Sequence, residues 1–199
     1  MKFIISRYNH EMHSIWPYIG EDYVLYDRSE CPLPLTNTII VPNIGSDIYD
    51  KFTYIIDNYD NLPDVLCLIK ANLFKYITKE EFIEVEKNTT FTPLLTQNHK
   101  TYLPICYYKD GMYWEINNMW YLSSHACKNK MIPYELQEIL GVGGMEYVPF
   151  APGSNYIVPK ENILKHSKEF YKRLRSYLEW DIYPGEAQIM ERGLYTLWK

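Results

Sequence analysis

The chain has 199 residues, a length that fits one large domain with a sizeable hydrophobic core. Hydrophobic residues make up 47% of it and aromatic residues 16%, which excludes a disordered or coiled-coil protein. The formal net charge is -5 and no long basic block occurs, so nucleic acid is not expected as a partner.

The sequence also carries signals about location. No apolar run approaches the roughly 20 residues that a membrane-spanning helix needs, so no transmembrane segment is predicted. The 4 cysteines have no close pair spacing and are interpreted as ordinary structural thiols. These features predict a reducing, cytoplasmic location and leave a peripheral association with a membrane open.

The N-terminal part of the chain alternates between predicted strands and helices. Strands are predicted over 2–8, 23–27, 38–43 and 64–70, with a short helical link over 10–18. Ser46 is predicted to cap a helix whose apolar residues recur at helical spacing. Two strand–helix–strand units in succession predict an α/β fold with a central, mainly parallel sheet flanked by helices.

The second half of the chain has a different character. Thr78 and Glu81 form a capping-box pattern that predicts a helix near 79–87. Two aromatic runs flank Lys109-Asp110-Gly111, which is a hairpin-turn signal. Two further helices are predicted, one with Phe170, Leu174, Tyr177 and Leu178 on one stripe, and a last one after "YPGE" with Met190, Leu194 and Leu197 inward. No repeat or linker is evident.

The residues that follow the predicted strands are the ones to examine, because ligands of open parallel sheets bind beyond the carboxyl ends of the strands. Three of the four ends carry a cation: Arg7, Arg28 and Lys70. That clustering would suit a diphosphate or triphosphate. Exposed strand ends often carry charge in any case, so the pattern alone does not choose between a ligand site and an ordinary surface.

Known nucleotide-binding motifs are missing. The "GVGG" of residues 141–144 lacks the spacing of a dinucleotide-binding loop, and no GxxxxGK occurs. A Rossmann dehydrogenase and a P-loop enzyme are therefore not expected.

Four segments, taken in their order, carry a family resemblance. They are "ISRYNHEMHSIWPY", "PNIGSDIYDKFTYIIDNYDNLPDV", "YVPFAPGSNYIVPKENILKHSKEFYKRL" and "GEAQIMERGLYTLW". Together they resemble a family of small GT-A-type glycosyltransferase-like proteins, many of them known only as a domain of unknown function. Others are tied to capsular, cell-wall or viral glycan synthesis. Residues 88–140 have no counterpart in this resemblance.

The resemblance implies a GT-A-like single domain over 1–199, with a nucleotide-binding half (1–87) and an acceptor-binding half (88–199). It implies a nucleotide-sugar donor, with a UDP-sugar favoured, and a glycan or glycoprotein acceptor. The donor-site residues expected by position are Ser6, Arg7, Tyr8, Asn9, Asp27, Arg28, Asn43, Gly45, Asp47, Lys70, Asn72 and Asn155. Turn-making and packing are the alternative roles for Tyr8 and Asn43.

A catalytic base is expected near the end of the chain. In related inverting enzymes a carboxylate deprotonates the acceptor hydroxyl, on the face of the sugar opposite the leaving diphosphate. Glu186 is the favoured candidate, Glu191 the second and Asp181 the reserve. Glu186 and Glu191 are five positions apart on one predicted helix, so they cannot share a face.

The metal site of this fold is where the sequence departs from the family pattern. An Asp-x-Asp that binds a divalent metal is expected at the end of the fourth strand, but Lys70-Ala71-Asn72 stands there. We favour Lys70 as a substitute for the metal charge. Alternatively, metal ligands lie elsewhere, with Asp27, Asp47 and Glu186 as candidates, or catalysis has been lost.

Three functions therefore remain open. The first is a glycosyltransferase, in which the aromatic residues of the middle segment, Tyr107, Tyr108, Tyr113, Trp114, Trp120 and Tyr121, either stack acceptor sugars or pack in the core. The second is a non-catalytic sugar- or nucleotide-binding module on the same fold. The third and weakest is a nucleotidyltransferase, which would want an N-terminal glycine- and lysine-rich signature that is absent.

Overall fold

The computed structural model describes residues 1–97 and 101–199. In chain order the elements are β1 (Lys2–Arg7), α1 (Trp16–Ile19), β2 (Tyr23–Asp27), β3 (Thr38–Ile40), α2 (Ser46–Asp57), β4 (Val65–Lys70), α3 (Lys79–Val85), β5 (Thr92–Pro93), β6 (Cys106–Lys109), β7 (Met112–Ile116), α4 (Ile132–Ile139), β8 (Tyr147–Phe150), β9 (Tyr156–Pro159), α5 (Lys160–Ile163), α6 (Lys168–Ser176) and α7 (Gly185–Trp198).

The central sheet has six strands in the order β3-β2-β1-β4-β9-β5. Strands β1 to β4 are parallel to one another, and β9 and β5 run antiparallel to their neighbours. The predicted α/β class with a mainly parallel, mixed sheet is thus confirmed. A smaller antiparallel sheet, β6-β7-β8, contains the predicted hairpin around Lys109-Asp110-Gly111.

The two faces of the central sheet carry separate hydrophobic clusters because successive side chains of a strand point to opposite faces. Leu66 and Leu68 of β4 face a cluster that includes residues of α2, α6 and α7. Cys67 and Ile69 face the opposite cluster, which includes residues of α1 and α3. Burial on both faces explains why β4 is an uninterrupted apolar run.

Helix boundaries follow the sequence in part. The capping box at Thr78 and Glu81 is present, and Met190, Leu194 and Leu197 of α7 are buried as predicted. The predicted strand 38–43 ends at Ile40, and the helical link over 10–18 contributes only α1.

No helix among residues 1–97 and 101–199 has both the length and the apolar character that crossing a bilayer requires.

The expected cap of α2 is wrong. Gly45, not Ser46, is the N-cap, and the Ser46 hydroxyl donates to the Asp47 carboxylate at 2.9 Å instead of capping the helix. Gly45 has φ +67, and its N–H donates to the carbonyl of Asp181 at 2.8 Å. A Cβ on Gly45 would lie 2.8 Å from Tyr49 Cβ and 2.9 Å from Leu178 Cβ. This glycine, predicted to bind donor, therefore has a structural role.

We expect Gly45→Ala to lower the free energy of unfolding by roughly 2–4 kcal/mol, because it combines a left-handed backbone with overpacking. Gly111→Ala is the matched control, since Gly111 in the β6–β7 turn has φ +75 but a Cβ added there would meet no atom within 4 Å. That control should cost only about 1 kcal/mol in urea denaturation. Equal losses for the two variants would contradict the packing argument.

Candidate functional site

A cavity lies at the point where the chain order of the sheet reverses. From β1 the chain continues to β2 on one side, and β4 pairs with β1 on the other, with Ser6 opposite Lys70. In open α/β sheets this switch point forms a crevice at the carboxyl ends of the strands. The first cavity, of about 160 Å³, is lined by Ser6, Arg7, Tyr8, His10, Arg28, Asn43, Ser46, Asp47, Lys70, Asn72, Tyr76 and Tyr183.

Most of the predicted donor-site residues meet in this cavity. They are Ser6, Arg7, Tyr8, Arg28, Asn43, Asp47, Lys70 and Asn72. They come from the ends of β1, β2 and β4, from the loop after β3 and from the first turn of α2. The parallel arrangement of the strands is what brings these distant positions to one edge.

Asp27 was predicted to lie near the donor or to bind a metal, but it does not line the first cavity. Its side chain is fully buried, pairs with Arg7 Nη1 at 2.7 Å, and accepts the backbone N–H groups of Ser29 and Leu33. Burial acts to raise the pKa of the Asp27 carboxyl, but these hydrogen bonds hold it below its ordinary value. Asp27 therefore fixes the position of Arg7.

Asn9, another predicted donor-site residue, does not line the first cavity. It has φ 53, and its backbone N–H donates to the Ser29 hydroxyl.

Arg28 is held in a similar way. One guanidinium nitrogen donates to the carbonyl of Ile44 at 2.8 Å, and the other pairs with the fully buried Asp50. Burial raises the pKa of the Asp50 carboxyl to about 6, against the lowering effect of the Arg28 charge and its hydrogen bonds. The strand-end cations Arg7 and Arg28 therefore each have a carboxylate of their own, which the sequence did not reveal.

Lys70 shares its carboxylate with a second lysine. Asp47 lies 3.0 Å from Lys70 Nζ and also pairs with Lys51, a fully buried lysine one helical turn further along α2. The Ser154 hydroxyl contacts the same carboxylate. Burial acts to raise the pKa of the Asp47 carboxyl, yet the charges of Lys51 and Lys70 hold it well below its usual range.

Asn155 was predicted to face the donor sugar, but it does not line the first cavity. It is fully buried, and its Oδ1 accepts the backbone N–H of Lys70 at 2.9 Å. Its role is to fix the end of β4 against the turn that precedes β9. Asn72 does line the cavity, and its amide nitrogen lies 3.2 Å from His10 Nε2.

A second, larger cavity adjoins the first. It measures about 550 Å³ and shares Lys70 and Tyr76 with the first cavity. Its lining is Lys70, Tyr76, Tyr102, Ile105, Cys106, Tyr113, Glu115, Trp120, Phe150, Pro152, Gly153, Gln188, Glu191 and Arg192. Apart from the two shared residues, these all come from residues 88–199.

The three predicted catalytic acids have different environments. Glu191 lines the second cavity, is 16% exposed, and accepts the backbone N–H of Gly153 at 2.6 Å. Glu186 is fully buried, lines neither cavity, and accepts from the Lys128 N–H at 2.8 Å and from Trp180 Nε1. Asp181 is exposed and accepts the N–H of Tyr183. The geometry thus favours Glu191 and gives Glu186 a structural role.

The second cavity has an ion pair and aromatic rings in its wall. Arg192 Nε donates to Glu115 at 2.5 Å, and the guanidinium lies 3.8 Å from the ring centroid of Tyr121. Of the aromatic residues singled out in the sequence, Tyr113 and Trp120 line the cavity, and Trp120 is 49% exposed. Tyr121 is buried against Arg192 and has a packing role.

Several lining residues were missed because only the residues directly after each strand were considered. His10 and Tyr76 lie a few residues beyond the ends of β1 and β4, Tyr183 reaches the first cavity from the loop before α7, and Arg192 reaches the second from α7. Lys51 had the only available signal: it falls four positions after Asp47, the spacing of an ion pair on one helix face.

The side chains at the end of β4 do not fit a divalent cation. Magnesium and manganese prefer carboxylate and carbonyl oxygens, whereas Lys70 lies in that position and Asp47 is already paired with two lysines. Asp27 and Glu186 are committed to buried hydrogen bonds elsewhere. Across residues 1–97 and 101–199, no three His, Cys, Asp or Glu side chains are grouped to hold a metal.

The structure is that of an α/β protein with a cavity at the switch point of its sheet. Comparison of the sequence with protein families gives a match over residues 22–199 to the family described as "Protein of unknown function (DUF3431)", and the chain belongs to that family. No curated protein and no solved structure matches it.

We expect Asp27→Asn to lower the free energy of unfolding at pH 7 by about 3–5 kcal/mol, because it leaves Arg7 buried without its counter-ion. Because the pKa of the Asp27 carboxyl is depressed in the folded state, the ionised carboxyl stabilises the fold at pH values above 3.8, the ordinary pKa of an aspartate. This contribution is lost as the pH falls through the folded-state pKa, so the gap between wild type and variant should narrow in acid.

The matched control for this prediction is Asp22→Asn. The Lys2–Asp22 pair has the same 2.7 Å separation, but its aspartate side chain is 64% exposed. Denaturant titrations at several pH values measure both effects. If Asp27→Asn lowers the free energy of unfolding as little as Asp22→Asn does, the role of Asp27 as the counter-ion that fixes Arg7 is contradicted.

Proposed function

We propose that the chain is a glycosyltransferase of GT-A-like architecture that moves a sugar from a nucleotide-sugar, with a UDP-sugar favoured, to a glycan or glycoprotein acceptor. The observation that carries the proposal is the pair of adjoining cavities that share Lys70 and Tyr76. One cavity lies at the switch point of the sheet, and the other carries the carboxylate of Glu191 in its wall. Transfer between two substrates requires two such sites that meet.

The charge balance of the first cavity supports an anionic donor. Four cations in or behind its wall, Arg7, Arg28, Lys51 and Lys70, pair with the three carboxylates of Asp27, Asp50 and Asp47. One positive charge is left over. Lys70 is the most exposed of the four at 23%, so it is the group best placed to meet a diphosphate.

The reaction that this arrangement supports is a direct displacement with inversion. The acceptor hydroxyl oxygen forms a bond to the anomeric carbon while the bond from that carbon to the diphosphate oxygen breaks. Glu191 takes the hydroxyl proton, and the departing electron pair stays on the diphosphate, where Lys70 stabilises the charge. No step requires a metal ion.

The second cavity supplies what a sugar acceptor needs. Tyr102 and Trp120 are 58% and 49% exposed, so their rings are available for stacking against apolar faces of a sugar. Arg192 is paired with Glu115 in the cavity wall, so this part of the wall is neutral and suits a hydroxyl-rich ligand. The cavity volume of about 550 Å³ lies in the range of small-molecule sites.

A non-catalytic sugar- or nucleotide-binding module is the second candidate. It is favoured by the same charge balance, because three carboxylates neutralise most of the cationic charge that would stabilise a leaving diphosphate. The two candidates differ in one property. A transferase hydrolyses its donor slowly when no acceptor is present, and a binding module does not.

The first test is calorimetric titration of UDP, GDP and CMP, each with manganese and again with EDTA. We expect UDP to bind equally well in EDTA and to lose at least tenfold in affinity in Lys70→Ala, since a charge-assisted contact is worth about 1.5–3 kcal/mol. Lys75→Ala, at an exposed lysine beyond β4, is the control. Binding that needs manganese would contradict the role of Lys70, and no binding of any nucleotide would sink the transferase proposal.

The second test concerns the base. We expect Glu191→Gln to lower donor hydrolysis or transfer by about 10²–10⁴-fold, the usual worth of general-base catalysis, with UDP affinity retained. Glu186→Gln should instead lower the melting temperature and spare turnover per folded molecule, because the buried Glu186 contacts Lys128, Trp180 and the Cys127 thiol and lines neither cavity. The reverse pattern would restore Glu186 as the base.

A further inference from the structure

The carboxylate of Asp47 is shared by two lysines, and the two sides of this arrangement differ. Its Oδ1 accepts from the Ser46 hydroxyl at 2.9 Å and lies 3.0 Å from Lys70 Nζ. Its Oδ2 contacts Lys51 Nζ and the Ser154 hydroxyl. Asp47 is therefore paired twice, which is more than neutrality of one carboxylate requires.

The two lysines differ in freedom to move. Lys51 is 0% exposed, pairs with Asp47 on its own helix, and donates to Ser154 Oγ at 2.8 Å, so it is held in place by two partners. Lys70 is 23% exposed and lines both cavities. Lys70 can therefore turn from Asp47 to a ligand in either cavity, whereas Lys51 lines neither cavity.

We propose that Lys51 is a positioning residue that keeps Asp47 paired when Lys70 turns from it to a phosphate oxygen in the first cavity. That this phosphate belongs to a nucleotide-sugar rests on the proposed function. The role of Lys51 itself requires only that the ligand contains a pyrophosphate group. Lys51 touches no ligand and acts through Asp47.

The physical reason is the cost of an unpaired charge. A buried carboxylate that loses its only counter-ion is strongly destabilised. With Lys70 alone, each bound pyrophosphate would have to compete against that cost. With Lys51 in place, Asp47 keeps one cation and the hydroxyl groups of Ser46 and Ser154, so the competition is weaker.

The experiment is calorimetric titration of inorganic pyrophosphate in EDTA into wild type, Lys51→Met and the double variant Asp47→Asn/Lys51→Met. We expect Lys51→Met to bind at least tenfold more weakly, because an Asp47 left without Lys51 retains Lys70, and Lys70 then does not make its charge-assisted contact with the phosphate. The double variant removes both buried charges and leaves Lys70 without a competitor, so its affinity should return to that of wild type or exceed it. A merely structural role for Lys51 would not produce this rescue.

Melting curves first establish that each variant is folded. Wild-type affinity in Lys51→Met, or a double variant as weak as the single one, would overturn the inference. If Lys51→Met does not fold, the double variant decides by itself: affinity below wild type would overturn the role of Lys51.

The outcomes for this inference and for the proposed function can be separated by repeating the titrations with UDP. A protein that shows the pyrophosphate pattern but binds no UDP keeps the role of Lys51 and loses the glycosyltransferase proposal. A wild-type protein that binds no pyrophosphate overturns the role of Lys51, whatever UDP does.

Discussion

The ion pair between Asp47 and its two lysines is the constraint around which the site is arranged. It joins the first turn of α2 to the end of β4 through Lys70, and to the turn before β9 through Ser154. Charges this deep are tolerated only when they are paired and hydrogen bonded. The three segments must therefore meet in one geometry, which places the first cavity at the switch point of the sheet. Ser154 even adopts φ +58 to reach the carboxylate.

The same requirement explains the rest of the charge pattern. Arg7 pairs with Asp27 from the neighbouring strand, and Arg28 pairs with Asp50 from α2. When Lys51 of α2 is counted with the cations at the strand ends, the wall is nearly neutral with one surplus positive charge. Such a wall favours an anion without holding it as tightly as an uncompensated cluster would. Under the proposed function, this suits a leaving group that must dissociate after each reaction.

The sequence predicts the parallel sheet and most of the first cavity for one reason: apolar runs identify β1, β2 and β4, and parallel strands bring their ends together. It fails where tertiary partners decide. The sequence suggests that Asp27 is a ligand, but in the structure its carboxylate oxygens already accept the backbone N–H groups of Leu33 and Ser29. Helical periodicity separates Glu186 from Glu191 but cannot say which of them faces a cavity, because that depends on how α7 packs. The turn signal Pro152-Gly153 precedes β9, but it connects strands of different sheets and so does not set the direction of β9 in the central sheet.

Lys70 connects the two cavities electrostatically as well as spatially. Burial acts to lower the pKa of its ammonium group, but Asp47 first and Glu191 second raise it above the ordinary value. The ammonium charge therefore responds to one carboxylate behind the first cavity and another in the wall of the second. Any ligand that draws Lys70 to one side changes the field on the other. Under the proposed function, this places the leaving group and the base on either side of a single mobile charge, which is where a transfer reaction needs it.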